Sequence, residues 1–349
     1  MHVSVIVPCR NEAQHLRGFL DSLLKQRTPD FDVEFVIADG MSDDGTREIL
    51  CEYARRSALI RVIDNEGRIV STGLNAAIRA ATGDIILRMD AHTEFDATYI
   101  ATCVALLQET GADNVGGPAR TKAHGLMARA IAAAYHSPFS TGGAKFHDES
   151  YEGPVDTVTY GCWRRQTLER LGCFDETLVR NQDDELNLRL SRAGGKIWQS
   201  PRILSWYWPR GDLRSLFRQY FQYGFWKVAV IRKHRLPASW RHLIPVTFVI
   251  SLGALVLASL VSWMVGAAVL AAWLAKLLAS TVAGYLFCTA CYSWQAAKSD
   301  RMDILPILPV VFGVYHCSYG LGFLAGVLRS QTNGSNRQPP SSAFTQLSR

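Results

Sequence analysis

The chain opens on an apolar run, Val3-Ser4-Val5-Ile6-Val7-Pro8, and its last hundred residues are dominated by long stretches almost free of charge, so two kinds of structure share it. The opening run reads as a strand buried on both faces. Leu16, Phe19, Leu20, Leu23 and Leu24 follow at spacings of three and four, which predicts a helix with one apolar face. A second strand, Phe35-Val36-Ile37-Ala38, delivers Asp39-Gly40-Met41-Ser42-Asp43-Asp44-Gly45-Thr46, an acidic, glycine-bearing loop ahead of a helix over Arg47 to Ser57. A further short run, Asp84-Ile85-Ile86-Leu87, ends in Arg88-Met89-Asp90-Ala91-His92. Strand and helix in alternation predict an α/β domain with a mainly parallel sheet, whose ligands bind beyond the carboxyl ends of its strands.

Two acidic constellations carry candidate chemistry. Asp90 and His92 stand two residues apart where a strand gives way to a loop. Alternation on extended backbone would put both on one face, able to share a divalent cation. A strand-end turn with a solvated Asp and a satisfied His is the plainer reading. Further on, Asp183, Asp184 and Glu185 open a helix whose apolar face is Leu186, Leu190 and Ala193, where acids also serve as dipole caps. No Gly-x-Gly-x-x-Gly follows the first strand, which disfavours a dehydrogenase.

The second half changes the picture. From Leu243 to Tyr292 fifty residues carry Lys276 as their only formal charge, and Ile304 to Leu328 carries none. A span needs about 20 residues, so three spans are predicted, two from the first stretch with a break near Ser262 to Gly266, and one from the second, with Pro306 and Pro309 in its first turns. From Arg202 to His242 there are nine Lys or Arg and one acid, Asp212, interleaved with aromatic residues. Such a segment suits an anionic membrane surface, and the apolar stretches that follow argue against nucleic acid as its partner. The basic flank ahead of Leu243 places that side, and the α/β domain with it, in the cytoplasm. The 349 residues, with net charge +6 and near-neutral mean hydropathy, average a polar domain with an apolar tail. No basic n-region and long apolar core stand at the start, so no signal peptide is expected. The eight Cys read as reduced packing residues. The expected division is a domain over 1–230, a basic segment over 231–242, membrane helices over 243–328 and a disordered tail over 329–349.

Pro8, Asn11 and Glu12 after the first strand, Asp39 with Ser42 to Thr46, Asn75 in Gly73-Leu74-Asn75-Ala76-Ala77, and Gly83, Asp84 and Asp90 stand in the order found in family 2 glycosyltransferases. Over roughly residues 1 to 230 the chain resembles these inverting nucleotide-sugar enzymes of GT-A fold, and its whole layout is similar to bacterial enzymes of succinoglycan and exopolysaccharide biosynthesis. The resemblance implies that Pro8, Asn11, Glu12, Asp39, Asn75 and Asp90 bind the nucleotide sugar, with Asp39 on the base and Glu12 on the nucleoside. Where most relatives carry Asp-x-Asp, this chain has Asp90-Ala91-His92, a departure that still permits Mg²⁺ or Mn²⁺ and tilts the preference toward Mn²⁺.

Matching the family's Glu-Asp-x-Glu-Leu to Gln182-Asp183-Asp184-Glu185-Leu186 makes Asp183 the general base, with Asp184 as second choice. Thr157 to Arg165 resembles the acceptor region, where Gly161 would admit the sugar to the backbone and Trp163 either packs in the core or stacks on sugar. Gln222 and Trp226 fit the Gln-x-x-Arg-Trp motif of processive synthases, but Phe225 stands where that motif has Arg. The resulting expectation is a multi-pass enzyme of the inner (cytoplasmic) membrane. It would move a sugar, from UDP by preference, to a lipid-linked or growing glycan acceptor. A processive polysaccharide synthase and a catalytically silent nucleotide-binding membrane scaffold are the alternatives.

Overall fold

The computed structural model describes residues 1–28 and 30–332. It resolves the chain into two compact units, Met1–Lys122 with Ala144–Trp208, and Ala123–Gly143 with the chain from Pro209 onward. Residues 123–143 and 209–230, placed by sequence in the 1–230 domain, therefore group with the apolar helices.

The first unit begins with β1 (His2–Cys9), α1 (Ala13–Leu24), β2 (Asp32–Asp39), α2 (Thr46–Arg56), β3 (Ile60–Asp64), α3 (Val70–Ala80) and β4 (Ile85–Arg88). It continues with β5 (Thr93–Phe95), α4 (Tyr99–Thr110) and β6 (Asn114–Gly117), after which α5 (Leu126–His136) and α6 (Pro138–Thr141) belong to the second unit. It resumes with β7 (Gly153–Pro154), β8 (Thr159–Arg164), α7 (Arg165–Leu171), α8 (Gln182–Arg192), β9 (Ile197–Gln199) and β10 (Ser205–Tyr207). The described residues form an eight-stranded sheet in the order β3-β2-β1-β4-β8-β6-β9-β7, and β5 pairs with β10 in a small second sheet. β3, β2, β1 and β4 run parallel, while β8 is antiparallel to both its neighbours.

This architecture positions the site. Cys9 pairs with Asp39 and Asp39 with Asp64, so three strands end at one level. The chain leaves β1 toward β2 on one side and returns to β4 on the other, which makes the edge beyond β1 and β4 the crevice of the sheet. Val3, Val5 and Val7 pack with Leu16, Leu20, Leu50 and Leu107 on one face. Ile6, between them in sequence, packs on the other face with Val36, Ile86, Leu74 and Leu186. Each such fully buried side chain contributes about 1.5–3 kcal/mol. β1 is thereby clamped between two layers and its carboxyl end is fixed.

The second unit adds α9 (Leu213–His234), α10 (Ile244–Met264), α11 (Ala268–Ser299) and α12 (Leu308–Thr332) to α5 and α6. The last three helices are long and apolar enough to cross a membrane. α10 and α11 are joined at Gly266, in the left-handed region at φ 77°, next to the break expected from sequence. Pro309 lies in the first turn of α12 and Pro306 just ahead of it. α12 continues to Thr332, past the boundary expected at 328, and the rest of the expected tail, 333–349, lies outside the described residues.

Glycines set the seam between α9 and α12. A Cβ on Gly322 would overlap the Phe221 carbonyl, one on Gly224 would overlap the Tyr319 carbonyl, and one on Gly326 would come 2.7 Å from the Phe225 carbonyl. Backbones in such contact tolerate no side chain. Gly322→Leu is expected to destabilise the detergent-solubilised protein by about 1–3 kcal/mol, a drop of several degrees in a thermal-shift measurement. Gly313→Leu, where an added Cβ meets nothing within 4 Å, should leave the midpoint unchanged.

Candidate active site

The loops leaving β1 and β2 are latched to each other. Asn11 sits in the left-handed region at φ 53°. Its backbone N–H donates to Ser42 Oγ (2.9 Å), its Nδ2 donates to Asp43 Oδ1 (2.9 Å), and its Oδ1 accepts from the Asp43 N–H (3.1 Å). The Glu12 N–H donates to Thr46 Oγ1 (2.7 Å). Asp39, almost fully buried at the end of β2, accepts from Ser42 Oγ (2.6 Å) and from Arg47 Nη1 (3.0 Å). Arg47 also pairs with Asp64, and these two acids push the guanidinium pKa up. Pro8 is the next-to-last residue of β1, opposite Ala38.

The second cluster is built on Arg88, the last residue of β4, which is 5% exposed. Its Nε and Nη2 donate to the two oxygens of Asp90, both at 2.8 Å, and its Nη1 stands 3.1 Å from Asp183 Oδ1. That last contact is an ion pair without hydrogen-bond alignment, and neither atom has a hydrogen-bond partner. Burial works against the charge on Arg88, but the fields of Asp90 and Asp183 outweigh it and push the pKa up. The guanidinium also lies over the Tyr160 ring, 6.0 Å from its centroid. Tyr160 has φ 63°, and its hydroxyl is hydrogen-bonded to Thr93.

Asp183 stands at the start of α8, where Asn181, in the left-handed region at φ 61°, makes the cap without a side-chain hydrogen bond. Its Oδ1 has no accessible surface, yet the side chain as a whole is 42% exposed, so the rest of the carboxyl group faces outward. Desolvation of the buried oxygen, the chief cause, raises the Asp183 pKa. Asp184 and Asp90 add to the rise and Arg88 opposes it. Glu185, third of the acids, is fully buried and bound by Arg189 at 2.8–3.0 Å, which makes it part of the framework. One helix start thus turns Glu185 to the core and Asp183 to Arg88.

Several sequence expectations need correction. Asp90 and His92 do not lie on extended backbone. The Thr93 N–H donates to the Asp90 carbonyl (3.1 Å), closing a turn, and alternation no longer applies. Asp90 is held by Arg88, while His92 Nδ1 is 3.2 Å from Glu12 Oε1. A shared cation would have to compete with Arg88 for both oxygens of Asp90 and with Glu12 for the imidazole. Among the described residues no three His, Cys, Asp or Glu side chains gather as a metal site, and the donors as arranged do not fit one.

Asn75 does not face the strand ends. Its Nδ2 donates to the Phe174 carbonyl (2.8 Å) and Glu176 Oε1 (2.9 Å), and its Oδ1 accepts from the Phe174 N–H (2.9 Å), so the amide pins α3 to the loop after α7. Trp163 is 2% exposed and packs edge-on against Phe174 in the core, leaving no ring face for a sugar. The requirement for glycine at 161 comes from that ring. Gly161 has φ 109°, and a Cβ there would overlap Trp163. Gln222 and Trp226 lie buried on α9, in the second unit, as does Phe225.

Sequence reasoning passed over Arg88 and Arg47 as partners of the acids. The signal for Arg88 was present: a cation ending an apolar strand two residues before an acid cannot stay buried unpaired.

A family model for glycosyl transferase family 2 matches residues 4–170. The chain is 31% identical over 322 residues to the succinoglycan biosynthesis protein ExoA of Rhizobium meliloti (strain 1021), covering 91% of this chain and 93% of that one. It is 24% identical over 338 residues to the dolichyl N-acetyl-alpha-D-glucosaminyl phosphate 3-beta-D-2,3-diacetamido-2,3-dideoxy-beta-D-glucuronosyltransferase of Methanococcus voltae, covering 95% and 98%. Among solved structures, the mannosyltransferase PcManGT from Pyrobaculum calidifontis, in complex with GDP-Man and Mn²⁺, superposes with a TM-score of 0.58 at 19% identity. That match covers 92% of this chain and 86% of that one, and shows the shared GT-A fold. With a parallel sheet whose strand ends carry the acids, and with a relative this similar over nearly its whole length, the chain belongs to glycosyl transferase family 2.

Proposed function

We propose that the protein is a membrane-anchored inverting transferase that moves a sugar from a nucleoside-diphosphate donor, UDP by preference, to a lipid-linked or growing glycan acceptor. The observation that carries this reading is the acid pair Asp90 and Asp183, brought together from a strand end and a helix start by Arg88. The nucleotide would lie along the loops after β1 and β2, among Pro8, Asn11, Glu12 and Asp39. Asp183 accepts the proton of the acceptor hydroxyl as its oxygen attacks the anomeric carbon, while the nucleoside diphosphate departs from the opposite face. Attack from the face opposite the leaving group inverts the centre. Asp184 adds negative field beside the base. Arg88 is a positioning residue, which fixes one oxygen of Asp183 and leaves the outward part of the carboxyl group for the acceptor.

A divalent cation, Mn²⁺ or Mg²⁺, is part of the sequence expectation, and the mannosyltransferase of like fold is a complex with Mn²⁺. No step is routed through it, because Asp90 and His92 are each committed to another partner. Catalysis at the cytoplasmic face of the inner membrane is supported by the basic segment ahead of the apolar helices and by the similarity to an exopolysaccharide protein. The buried Phe225, in place of the arginine of processive synthases, favours addition of one sugar per encounter.

The test is nucleotide release from a panel of UDP- and GDP-sugars by purified full-length protein with membrane lipid extract and Mn²⁺. Wild type should release nucleotide with one donor, and Asp183→Asn should lower turnover about 10²- to 10⁴-fold, the range for loss of a general base. Release unaffected by the substitution would move the base elsewhere, and nucleotide binding without release from any donor would point to the silent scaffold.

The pH profile gives a second prediction. A base works unprotonated, and the Asp183 pKa is raised by burial. Activity should therefore fall, as pH decreases, through a midpoint above the ordinary Asp value of about 3.9. Arg88 opposes that rise, so Arg88→Gln should move the acid limb to higher pH. Arg88→Lys should restore much of the shift but less of the turnover, because an ammonium cannot bind both Asp90 oxygens in a fork.

A further inference from the structure

The three apolar helices are clothed differently. Within their most apolar windows, 6% of residues are buried in α10 and in α11, against 50% in α12. α10 and α11 form an antiparallel hairpin, with Phe248 stacked on Tyr285 at 4.7 Å and a tight turn at Gly266. On α10 large apolar side chains are exposed over a broad arc of the helix, as at Val256, Leu257, Leu260, Val261 and Trp263. On α12, apart from Pro309 and Gln331 near its ends, the exposed positions are Val310, Cys317, Leu321 and Leu328, which recur at seven, four and seven residues in one narrow stripe.

The rest of α12 is covered chiefly by α9, α5 and α6, which are not long or apolar enough to span, and in part by the foot of the hairpin, where Tyr285 of α11 is hydrogen-bonded to His316 at 2.9 Å. α9 runs parallel to it at a nearly constant offset. Phe221 lies against Gly322, Phe225 against Gly326, and Arg232 Nη1 donates to the Ser330 carbonyl at 3.1 Å. Tyr315 donates to the Ile131 carbonyl of α5 (3.2 Å), and His316 is hydrogen-bonded to the Phe139 carbonyl of α6 (2.9 Å). α10 meets α12 only with its first turns, where Pro245 and Val249 adjoin Gly320 and Val246 clusters with Phe323 and Val228. α12 therefore passes across the base of the hairpin. Were it to span, α9 would have to follow it into hydrocarbon with Arg218 and Lys227, which the bilayer strongly disfavours.

We infer that α12 does not cross the membrane. α10 and α11 cross as a hairpin, and α12 lies with α9 along the bilayer surface, its apolar stripe on the lipid and the exposed Arg214 and Arg218 of α9 toward anionic headgroups. The chain before α10 and the chain after α12 then share one face. This rests on the proposed membrane anchoring, and the experiment separates the two.

Epitopes are placed in the full-length chain before Met1, after Gly266 and after Arg349, and antibody access is compared in intact and permeabilised spheroplasts. The expected result is access to the Gly266 epitope in intact spheroplasts and to both terminal epitopes only after permeabilisation. Access to the Gly266 and C-terminal epitopes together in intact spheroplasts would overturn the inference while leaving the anchoring in place. A Gly266 epitope reached only after permeabilisation would mean that the hairpin does not cross, and both readings would fall.

Discussion

A buried guanidinium between two carboxylates is the interaction on which the rest of the first unit depends. Arg88 ends the strand that lies beside β1 at the switch point of the sheet, and it holds one acid from its own turn and another from the start of α8. Arg88 and Asp90 would each be desolvated without compensation if alone, and the buried oxygen of Asp183 faces the same guanidinium. Strand, turn and helix start must consequently arrive together. The two apolar layers around β1 make this possible, because they fix β4 on one side of the sheet and α8 on its face through Ile86 and Leu186. Chemistry and core share these elements.

The architecture was legible because its signals are periodic. The alternation of strands and helices, the buried β1 and the long uncharged stretches depend on averages over many residues, and tertiary context did not reverse them. The acids at the strand ends were legible as a set, from their order along the chain. What each acid does was less so. Asp90 and His92 were expected to converge because extended backbone was assumed, and a single turn hydrogen bond at Thr93 removed that assumption. Asn75 and Trp163 have residue types suited to ligands, yet one is spent on the Phe174 backbone and the other on the core. Glu185 and Asp183 are two residues apart on one helix and serve different ends, because helical rotation turns one to Arg189 and the other to Arg88. Partners distant in sequence settle such roles, and no local pattern encodes them.

The division into units follows the same physics on a larger scale. Hydropathy alone groups α12 with α10 and α11, since it counts side chains without asking what covers them. The seam of Gly224, Gly322 and Gly326 supplies the missing information: a helix whose backbone is pressed on a basic neighbour has only part of its circumference left for lipid. The segment 123–143, unremarkable in sequence, joins this unit through Ala130, Ile131 and Ala134 packed with Leu308, Val311 and Phe312.

The reciprocal hydrogen bonds between Asn11 and the Ser42-Asp43 segment, with the Glu12 backbone tied to Thr46, mean that the two loops framing the strand ends hold each other in one conformation without a ligand. A flexible cradle would spend part of its interaction energy on ordering itself. Here that ordering is supplied by hydrogen bonds within the protein, so a ligand at this edge would meet a fixed surface, and selectivity would become a matter of shape rather than of loop adaptation.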